Sequence, residues 1–274
     1  MAEDRRKTVL CIAGSDNTGG AGIQVDIKTC AAFEVYPFTV ITAVTAQNPS
    51  GVKAVKYVGD DMLKAQLETL LEYVRPDAVK IGLLPNGESV EIISEILDEN
   101  DLKNIVLDPV LGASAGGEWC KDEEEQNSII HAIKYKLFPL VKCVTPNVKE
   151  LHRLCYDLFP KSDSIEDCVE SLLHCDFLSS VVVTGGDQDS EESTDELFEW
   201  DKDNYKYDQF SLPKIDSVHT HGSGCTFSTA IACNLALGQS LRTSVKQAKK
   251  FVYDSIIRGA HYPVLPVYGP VHPL

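Results

Sequence analysis

The repeated alternation of short apolar runs with longer amphipathic segments is the feature that most constrains the fold. Residues 8–13 form an apolar run that predicts a buried strand, and residues 23–33 carry apolar side chains at helical spacing. This order recurs along the chain and is interrupted only by two strand-like segments around residues 201–204, which are typical of a hairpin. It predicts an α/β fold with a mainly parallel sheet and helices on both faces. Without a repeat or linker in the sequence, we expect residues 1–274 to form a single domain.

The individual elements follow from the same patterns. The expected strands are 8–13, 38–44, 77–82, 104–110, 141–144, 180–184, 197–200 and 205–210. The expected helices are 23–33, 60–74 with an Asp cap, 87–97, 123–138, one opening at 150, 164–175 with Ser164 as its N-cap, 229–236 and 240–259.

A glycine-rich turn precedes the apolar run of small residues at 229–236. Gly222 and Gly224 bracket Ser223, and Cys225 follows directly. Backbone N–H groups and the dipole at a helix start favour a phosphate or a developing anion. A thiol placed there is expected to lose its proton more readily than a free thiol. The same residues also fit a plain glycine turn with a small buried cysteine, and the stretch by itself leaves both interpretations open.

A second glycine-rich loop, residues 14–22, follows the first strand. It lacks the spacing of a dinucleotide fingerprint and the Lys-Ser/Thr ending of a P-loop. Its glycines let the backbone approach a ligand closely. Asp16 and Asp26 fit either contacts with a ligand hydroxyl or ordinary turn and helix caps.

Further polar residues are expected at the carboxyl edge of the sheet, where open α/β sheets bind ligands. Gln47 lies in an expected loop after strand 38–44, Asp108 ends a strand, and Glu150 opens a helix. The two carboxylates suit Mg²⁺, which takes one or two carboxylates together with phosphate oxygens. Alternatively, Asp108 caps a strand end and Glu150 favours its helix dipole. The pair His219 and His221, two residues apart on a loop, is a weak metal signal.

Composition restricts the partners and the compartment. The formal net charge of −16 disfavours nucleic acid and anionic membranes as partners. The chain has 9 cysteines without a Cys-x-x-Cys pair, and its beginning does not resemble a signal peptide. Both observations predict a cytoplasmic protein with free thiols.

Several motifs of the sequence resemble those of a known family. Residues 14–26 (GSDNTGGAGIQVD) with Lys28 and Thr29 are similar to the N-terminal signature of the hydroxymethylpyrimidine/phosphomethylpyrimidine kinases, ribokinase-like enzymes of thiamine biosynthesis. Residues 43–48 (AVTAQN), 108–110 (DPV), 145–150 (TPNVKE), 220–226 (THGSGCT) and the closing 269–273 (GPVHP) resemble the later motifs. The resemblance extends from about residue 9 to residue 271 and implies a three-layer ribokinase-like sandwich.

The resemblance implies two successive phosphorylations with MgATP. The first acts on 4-amino-5-hydroxymethyl-2-methylpyrimidine and the second on its monophosphate. Cys225 would deprotonate the attacking hydroxyl, and the anion hole would be formed with Gly222, Ser223 and Gly224. The other implied roles are substrate binding by Gly14, Asp26, Val44, Gln47, Leu83 and Val110, nucleotide contacts at Asn147, Thr184 and Gly186, and magnesium binding by Asp108 and Glu150. Relatives are commonly homodimers.

Two departures from the family pattern keep rival functions open. Thr184 stands where the family often has a lysine, and Leu83 stands where a methionine is common. The rivals are a pyridoxine/pyridoxal kinase and a weakly catalytic pyrimidine-binding sensor. Gln47 favours the aminopyrimidine, because its amide can pair with both a donor and an acceptor on the ring.

Overall fold

The computed structural model describes residues 5–111, 123–156, 164–174, 178–186, 190–201, 204–265 and 269–274. One sheet contains the nine strands β1 Thr8–Ser15, β2 Tyr36–Asn48, β3 Gly51–Tyr57, β4 Ala78–Ile81, β5 Ile105–Leu107, β6 Cys143–Val144, β7 Ser180–Val183, β8 Glu192–Asp201 and β9 Asn204–Pro213. The helices are α1 Gly22–Ala32, α2 Asp60–Leu71, α3 Gly87–Glu99, α4 Glu123–Ala132, α5 Val148–Cys155, α6 Ile165–His174, α7 Ser223–Ala236 and α8 Leu241–His261. None of the helices in these ranges is long and apolar enough to cross a membrane.

The strand order creates a crevice next to β1. The sheet runs β3-β2-β1-β4-β5-β6-β7-β8-β9, and β2, β1, β4, β5, β6 and β7 are mutually parallel. The chain passes from β1 to β2 on one side and later places β4 on the other side. Such a reversal opens a crevice at the carboxyl ends of the two strands that flank it, which is where open α/β sheets bind ligands. The expected fold class is confirmed.

Two hydrophobic cores cover the two faces of the sheet. Along β1, Leu10 and Ile12 face the core formed with α2 to α6, whereas Val9, Cys11 and Ala13 face the core formed with α1, α7 and α8. This alternation follows from the two-residue period of a strand. The second core is rich in alanine from α7, and these small side chains allow the helix to pack closely on β1 and α1.

Three expectations about the elements are corrected. Strand β2 continues through Gln47 to Asn48 and turns into β3, so Gln47 lies on a strand with a bulge after Ala46 rather than in a loop. Helix α2 starts after Gly59, which has φ +87°, and no side chain caps it. The helix expected at 123–138 changes into a π-helical turn at Ile133–Leu137.

Candidate active site

The crevice beside β1 is lined by residues that follow the parallel strands. Gly14 near the end of β1 lies against Leu83 after β4, since a Cβ on Gly14 would approach the Leu83 Cδ2 to 2.8 Å. The adjoining cavity of about 140 Å³ is lined by Ala43, Val55, Tyr57, Leu83, Leu84, Pro85, Val110, Leu111, Glu125, Gln126 and Ile129. Of the proposed substrate residues, Gly14, Leu83 and Val110 therefore converge here. Val44, on the neighbouring strand, is half exposed.

Asp16 organises the glycine loop. Its carboxylate accepts hydrogen bonds from the backbone N–H of Thr18 at 2.8 Å, of Gly20 at 3.2 Å and of Ala21 at 2.8 Å. Burial raises the pKa of Asp16, but hydrogen bonds from His221, Gln47 and Thr18 outweigh it, so the net pKa lies below the ordinary value. The Gln47 side chain therefore lies against this carboxylate, which helps to orient its amide.

His221 fastens the glycine loop to the turn before α7 and to the C-terminal tail. Its Nε2 lies 2.9 Å from Asp16 Oδ2, and its backbone exchanges hydrogen bonds with residues 269–271. Pro270 and the His221 ring close over Gly20, where a Cβ would come within 2.8 Å of Pro270 and 2.5 Å of the imidazole. Sequence reasoning missed this role, because a histidine two residues from another on a loop gave no sign of its partner.

Two helix N-termini meet at Cys225. Gly22 begins α1 with φ +55°, and its N–H favours the ionised form of the Cys225 thiol, which sits in the first turn of α7. Gly222 is the N-cap of α7 with φ +81°, and a Cβ there would lie 1.8 Å from the Gly20 carbonyl oxygen. The two glycine segments thus touch backbone to backbone. Such a junction presents N–H groups from two helix starts to one small region, which favours negative charge.

The expected acidity of the Cys225 thiol is wrong for the free protein. Desolvation within the turn, together with the carboxylates of Asp108 and Asp26, raises the pKa of Cys225 to about 12, although the residue stays partly exposed. The Lys80 ammonium and the Gly22 N–H act in the opposite direction but do not compensate. The helix start was visible in the sequence, but the nearby negative charge of Asp108 and Asp26 was not.

A buried ion pair lies beneath this turn. Lys80 on β4 is fully buried, and its Nζ lies 3.0 Å from both carboxylate oxygens of Asp26 on α1. The Thr229 hydroxyl on α7 donates to the same carboxylate at 2.7 Å. Burial by itself lowers the pKa of Lys80, but the attraction of Asp26 and other negative groups raises it above the ordinary value. Asp26, expected to line the substrate pocket, is instead enclosed with its carboxylate turned to these two partners.

Lys80 is the second residue that sequence reasoning missed. Residues 77–82 were interpreted as an ordinary strand, although a lysine between apolar strand residues has to find a partner if the strand is buried. The signal was therefore present. The partner was hidden because Asp26 precedes it by 54 residues on another element.

The two proposed magnesium ligands follow neighbouring strands. Asp108 follows β5 and is buried, and its Oδ2 accepts a hydrogen bond from Ser228 at 3.0 Å. Burial raises the pKa of Asp108. Glu150 lies in the first turn of α5, where its Oε2 accepts the Asn147 N–H at 3.0 Å and its own N–H donates to Asn147 Oδ1 at 2.9 Å. This reciprocal capping box fixes the position of Glu150.

These carboxylates fit Mg²⁺ in chemistry, because oxygen ligands of one or two acidic side chains are what the ion takes when phosphate oxygens complete its shell. Among the described residues no group of three or more His, Cys, Asp and Glu side chains is arranged to hold a metal by itself. A site of this kind would therefore depend on the phosphates of a bound nucleotide.

The expected nucleotide contacts lie one strand further along the sheet. Thr184 pairs with Asn147 in a parallel bridge, and its N–H donates to the Pro146 carbonyl at 2.9 Å. Gly186 is exposed, and no atom lies within 4 Å of the position where its Cβ would be. The structure therefore brings Asn147 and Thr184 together at the carboxyl ends of β6 and β7, with Gly186 open beside them.

Comparison with known proteins agrees with this geometry. Residues 16–272 match the family model described as phosphomethylpyrimidine kinase. The chain is 36% identical over 248 residues to the hydroxymethylpyrimidine/phosphomethylpyrimidine kinase of Bacillus subtilis, covering 90% of this chain and 88% of that protein. It is 37% identical over 249 residues, 90% of its own length, to the chloroplastic thiamine biosynthetic bifunctional enzyme of Arabidopsis thaliana, of which it spans only 46%.

A solved structure carries the same fold. The ADP complex of Bacillus subtilis pyridoxal kinase superposes with a TM-score of 0.83 at 31% identity, covering 98% of this chain and 97% of that one. With the family model matched over nearly the whole length and the glycine loop, switch-point crevice and cysteine turn in place, the chain belongs to the phosphomethylpyrimidine kinase family.

Proposed function

We propose that this protein transfers the γ-phosphoryl group of ATP to 4-amino-5-hydroxymethyl-2-methylpyrimidine and then to its monophosphate, giving the diphosphate used in thiamine biosynthesis. The observation that carries the proposal is the meeting of the α1 and α7 N-termini at Cys225, beside a crevice lined by Gly14 and Leu83. Phosphoryl transfer requires positioning and stabilisation of negative charge more than covalent chemistry. A junction of two helix starts next to a small-molecule crevice supplies both.

The pyrimidine is proposed to lie in the crevice, with its hydroxymethyl group directed at the cysteine turn. Gly14, Leu83 and Val110 pack against the ring, and the Val44 backbone contributes from β2. The Gln47 amide, oriented by the Asp16 carboxylate, pairs with polar atoms of the aminopyrimidine. Asp26 acts from beneath, through its ion pair with Lys80, since its carboxylate is fully enclosed.

In the first transfer step, the hydroxyl oxygen of the substrate forms a bond to the γ-phosphorus as the bond from that phosphorus to the bridging oxygen breaks and ADP leaves. The hydroxyl proton passes to the Cys225 Sγ. Because the pKa of Cys225 is about 12 in the free protein, its thiolate has to be favoured within the complex. Lys80 and the Gly22 N–H are the groups of this chain that favour it. The backbone of Gly222, Ser223 and Gly224 stabilises the charge on the transferring group.

We further propose that Asp108 and Glu150 hold Mg²⁺ directly or through waters. When bound, the ion would neutralise phosphate charge and offset that of the buried Asp108 carboxylate. Asn147, Thr184 and Gly186 are proposed to contact the nucleotide, at the end of the sheet next to these carboxylates. The proposal for ATP is supported by family membership and by the ADP bound to the similar pyridoxal kinase.

A second candidate is phosphorylation of pyridoxal or pyridoxine, because a pyridoxal kinase superposes over 98% of the chain. The deciding experiment measures turnover of the pyrimidine alcohol, its monophosphate and pyridoxal side by side with MgATP. We expect the highest kcat/KM for the pyrimidine alcohol. A higher kcat/KM for pyridoxal would favour the second candidate, and no turnover of any of the three would indicate the weakly catalytic sensor.

The role of Cys225 is tested by substitution. As general base it should contribute roughly 10²–10⁴-fold to the rate, so Cys225→Ala and Cys225→Ser should lose most turnover while remaining folded. Cys225→Asp should recover part of it, because a carboxylate can accept the proton. Near-normal turnover of Cys225→Ala would remove the thiol from the mechanism and leave the backbone alone to act.

We also propose a cytoplasmic homodimer. The 7 cysteines among the described residues are all free thiols, which fits a reducing compartment. Val55 and Tyr57 are partly exposed apolar side chains on the edge strand β3, beside the crevice at one end of the sheet. Such a surface fits association of two copies, and light scattering on the purified protein would give the oligomeric state.

A further inference from the structure

Helices α1 and α7 face each other in register below the cysteine turn. Both run away from the turn, and residues four positions apart on one helix meet residues four positions apart on the other. The pairs at successive turns are Gly22 with Cys225, whose thiol feels the Gly22 N–H electrostatically, Asp26 with Thr229 at 2.7 Å, and Cys30 with Cys233 at 3.6 Å between sulfurs. We call this line of paired residues between α1 and α7 the seam. Its middle contact, between Asp26 and Thr229, is polar and lies one turn beneath the proposed site of reaction.

Lys80 reaches the seam from the sheet. It lies on β4 with its side chain toward the α1 and α7 face, and its ammonium is bound by both oxygens of Asp26. Gly82 leaves space for it, since a Cβ at Gly82 would come within 3.0 Å of the Lys80 Nζ. The ion pair therefore connects β4, α1 and, through Thr229, α7 at a single point.

Burying this ion pair in the core carries a large desolvation free energy. Both side chains of the ion pair are 0% exposed, and removing two charges from water costs several kcal/mol per ion before their attraction offsets it. A well-packed apolar pair of similar volume fills such a space without that cost and is often at least as stable. Stability alone therefore does not explain the presence of the ion pair. Its position one turn beneath Cys225 suggests a role in function instead.

We propose that Lys80 and Asp26 are positioning residues for phosphoryl transfer. The Asp26 carboxylate, bound on both oxygens by Lys80, accepts the hydrogen bond of the Thr229 hydroxyl and so fixes the axial position of α7 relative to α1. That axial position determines whether the Cys225 thiol and the anion-hole backbone lie opposite the Gly22 N–H. Lys80 also keeps one positive charge beneath a turn that must accommodate negative charge. This inference rests on the proposed function, since it assigns the pair to the transfer step.

The expected signature separates positioning from simple stability. A displacement of about 1 Å in a reacting group can cost on the order of 10²-fold in rate. The pyrimidine is proposed to bind in the crevice above, against Gly14 and Leu83, whereas the ion pair is hydrogen-bonded to Thr229 on α7. Loss of the pair should therefore lower kcat and leave the KM for the pyrimidine nearly unchanged.

The experiment replaces both charges together, as Lys80→Met with Asp26→Leu, so that neither partner of the ion pair remains buried without the other. We expect this double variant to fold with a Tm within a few degrees of the unaltered chain. Its kcat should fall roughly 10–100-fold with the pyrimidine KM changed less than about 3-fold. Thr229→Val, which is nearly isosteric and removes only the hydrogen bond to Asp26, should lower kcat about 3–10-fold with the same unchanged KM.

Cys143→Ala is the matched control. Cys143 lies fully buried in the same core but on β6, away from the seam, so its truncation should lower Tm and leave kcat unchanged. A folded double variant with unchanged kcat would overturn the inference. If the double variant does not fold, unchanged kcat in Thr229→Val would overturn it. Absence of turnover in the unaltered chain would be a separate result, overturning the proposed function and the inference together.

Discussion

Gly222 is the position where the structure predicts the largest effect from the smallest substitution. In Gly222→Ala, the new methyl group would lie 1.8 Å from the Gly20 carbonyl oxygen and 2.9 Å from its carbon. Real Cβ atoms essentially never lie closer than 3.0 Å, so the two glycine segments must separate by more than about 1 Å. The residue also keeps φ +81°, which costs a side chain about 1–2 kcal/mol.

The two costs can be measured apart because the chain contains matched glycines. Gly238, after the end of α7, has φ +84° but nothing within 4 Å of its Cβ position, so Gly238→Ala carries the conformational cost alone. Gly224 has neither a positive φ nor a neighbour within 4 Å. Since it lies within α7, Gly224→Ala should be neutral or stabilising by up to about 1 kcal/mol.

For Gly222→Ala, overpacking of about 1–3 kcal/mol adds to the conformational cost. We therefore expect a loss of about 2–5 kcal/mol in the free energy of unfolding, against about 1–2 kcal/mol for Gly238→Ala. In a chain of this size each kcal/mol lowers Tm by about 2–4 °C. Urea unfolding and thermal melting of the three variants give the comparison.

Turnover adds an independent measurement. The separation forced by Gly222→Ala moves the turn that carries Cys225 away from the glycine loop, so kcat should fall by on the order of 10²-fold even where the protein is folded. Gly238→Ala should retain normal kcat. The reasoning is refuted if Gly222→Ala is no less stable than Gly238→Ala, since the contact with Gly20 would then have no cost.

Three further expectations concern ligands and pH. Gln47→Leu should weaken pyrimidine binding by about 1–3 kcal/mol and leave the KM for ATP unchanged, and equal losses for both ligands would make Gln47 structural. Asp108→Asn and Glu150→Gln should each raise the Mg²⁺ concentration for half-maximal turnover at least about 10-fold, and an unchanged Mg²⁺ dependence would refute the magnesium assignment. Because the pKa of Asp16 is lowered on folding, its contribution is present above the unfolded pKa of about 4 and is lost as the pH falls below it. Urea unfolding of Asp16→Asn and the unaltered chain should thus differ most near pH 7 and progressively less below pH 4, whereas a difference independent of pH would contradict this reasoning.

The sequence was sufficient for features that depend on local pattern. The strand, glycine loop and helix at residues 8–33, the strand expected at 104–110, and the hairpin around residues 201–204 all appear where the pattern placed them, although β5 is shorter and β8 and β9 are longer than expected. Ser164 accepts the Asp167 N–H at 3.2 Å, as expected of the N-cap of α6. Each of these depends on neighbours within one turn or one strand.

Features that depend on distant neighbours were not predictable. The sequence does not show that the buried carboxylates of Asp108 and Asp26 act on the Cys225 thiol, so its position at a helix start suggested the wrong direction for its pKa. Strand β3 was overlooked because Gln47 and Asn48 before Pro49 resemble a loop, although pairing with β3 extends β2 to Asn48. The partners of Lys80 and His221 lie 54 and 205 positions away, and only the fold brings them together.

The tail contact at His221 has a consequence for biosynthesis. Residues 269–271 complete the enclosure of a loop, residues 14–22, that leaves the ribosome some 250 residues earlier. At a synthesis rate of about 5–20 residues per second, that interval is roughly 10–50 s. During this interval β1 can pair with β2 and β4, and α1 can pack on them. The contacts of the Asp16 loop with His221 and with the tail cannot form until those residues have been synthesised. The nascent chain can therefore form the β1, β2 and β4 part of its sheet well before the glycine loop is enclosed.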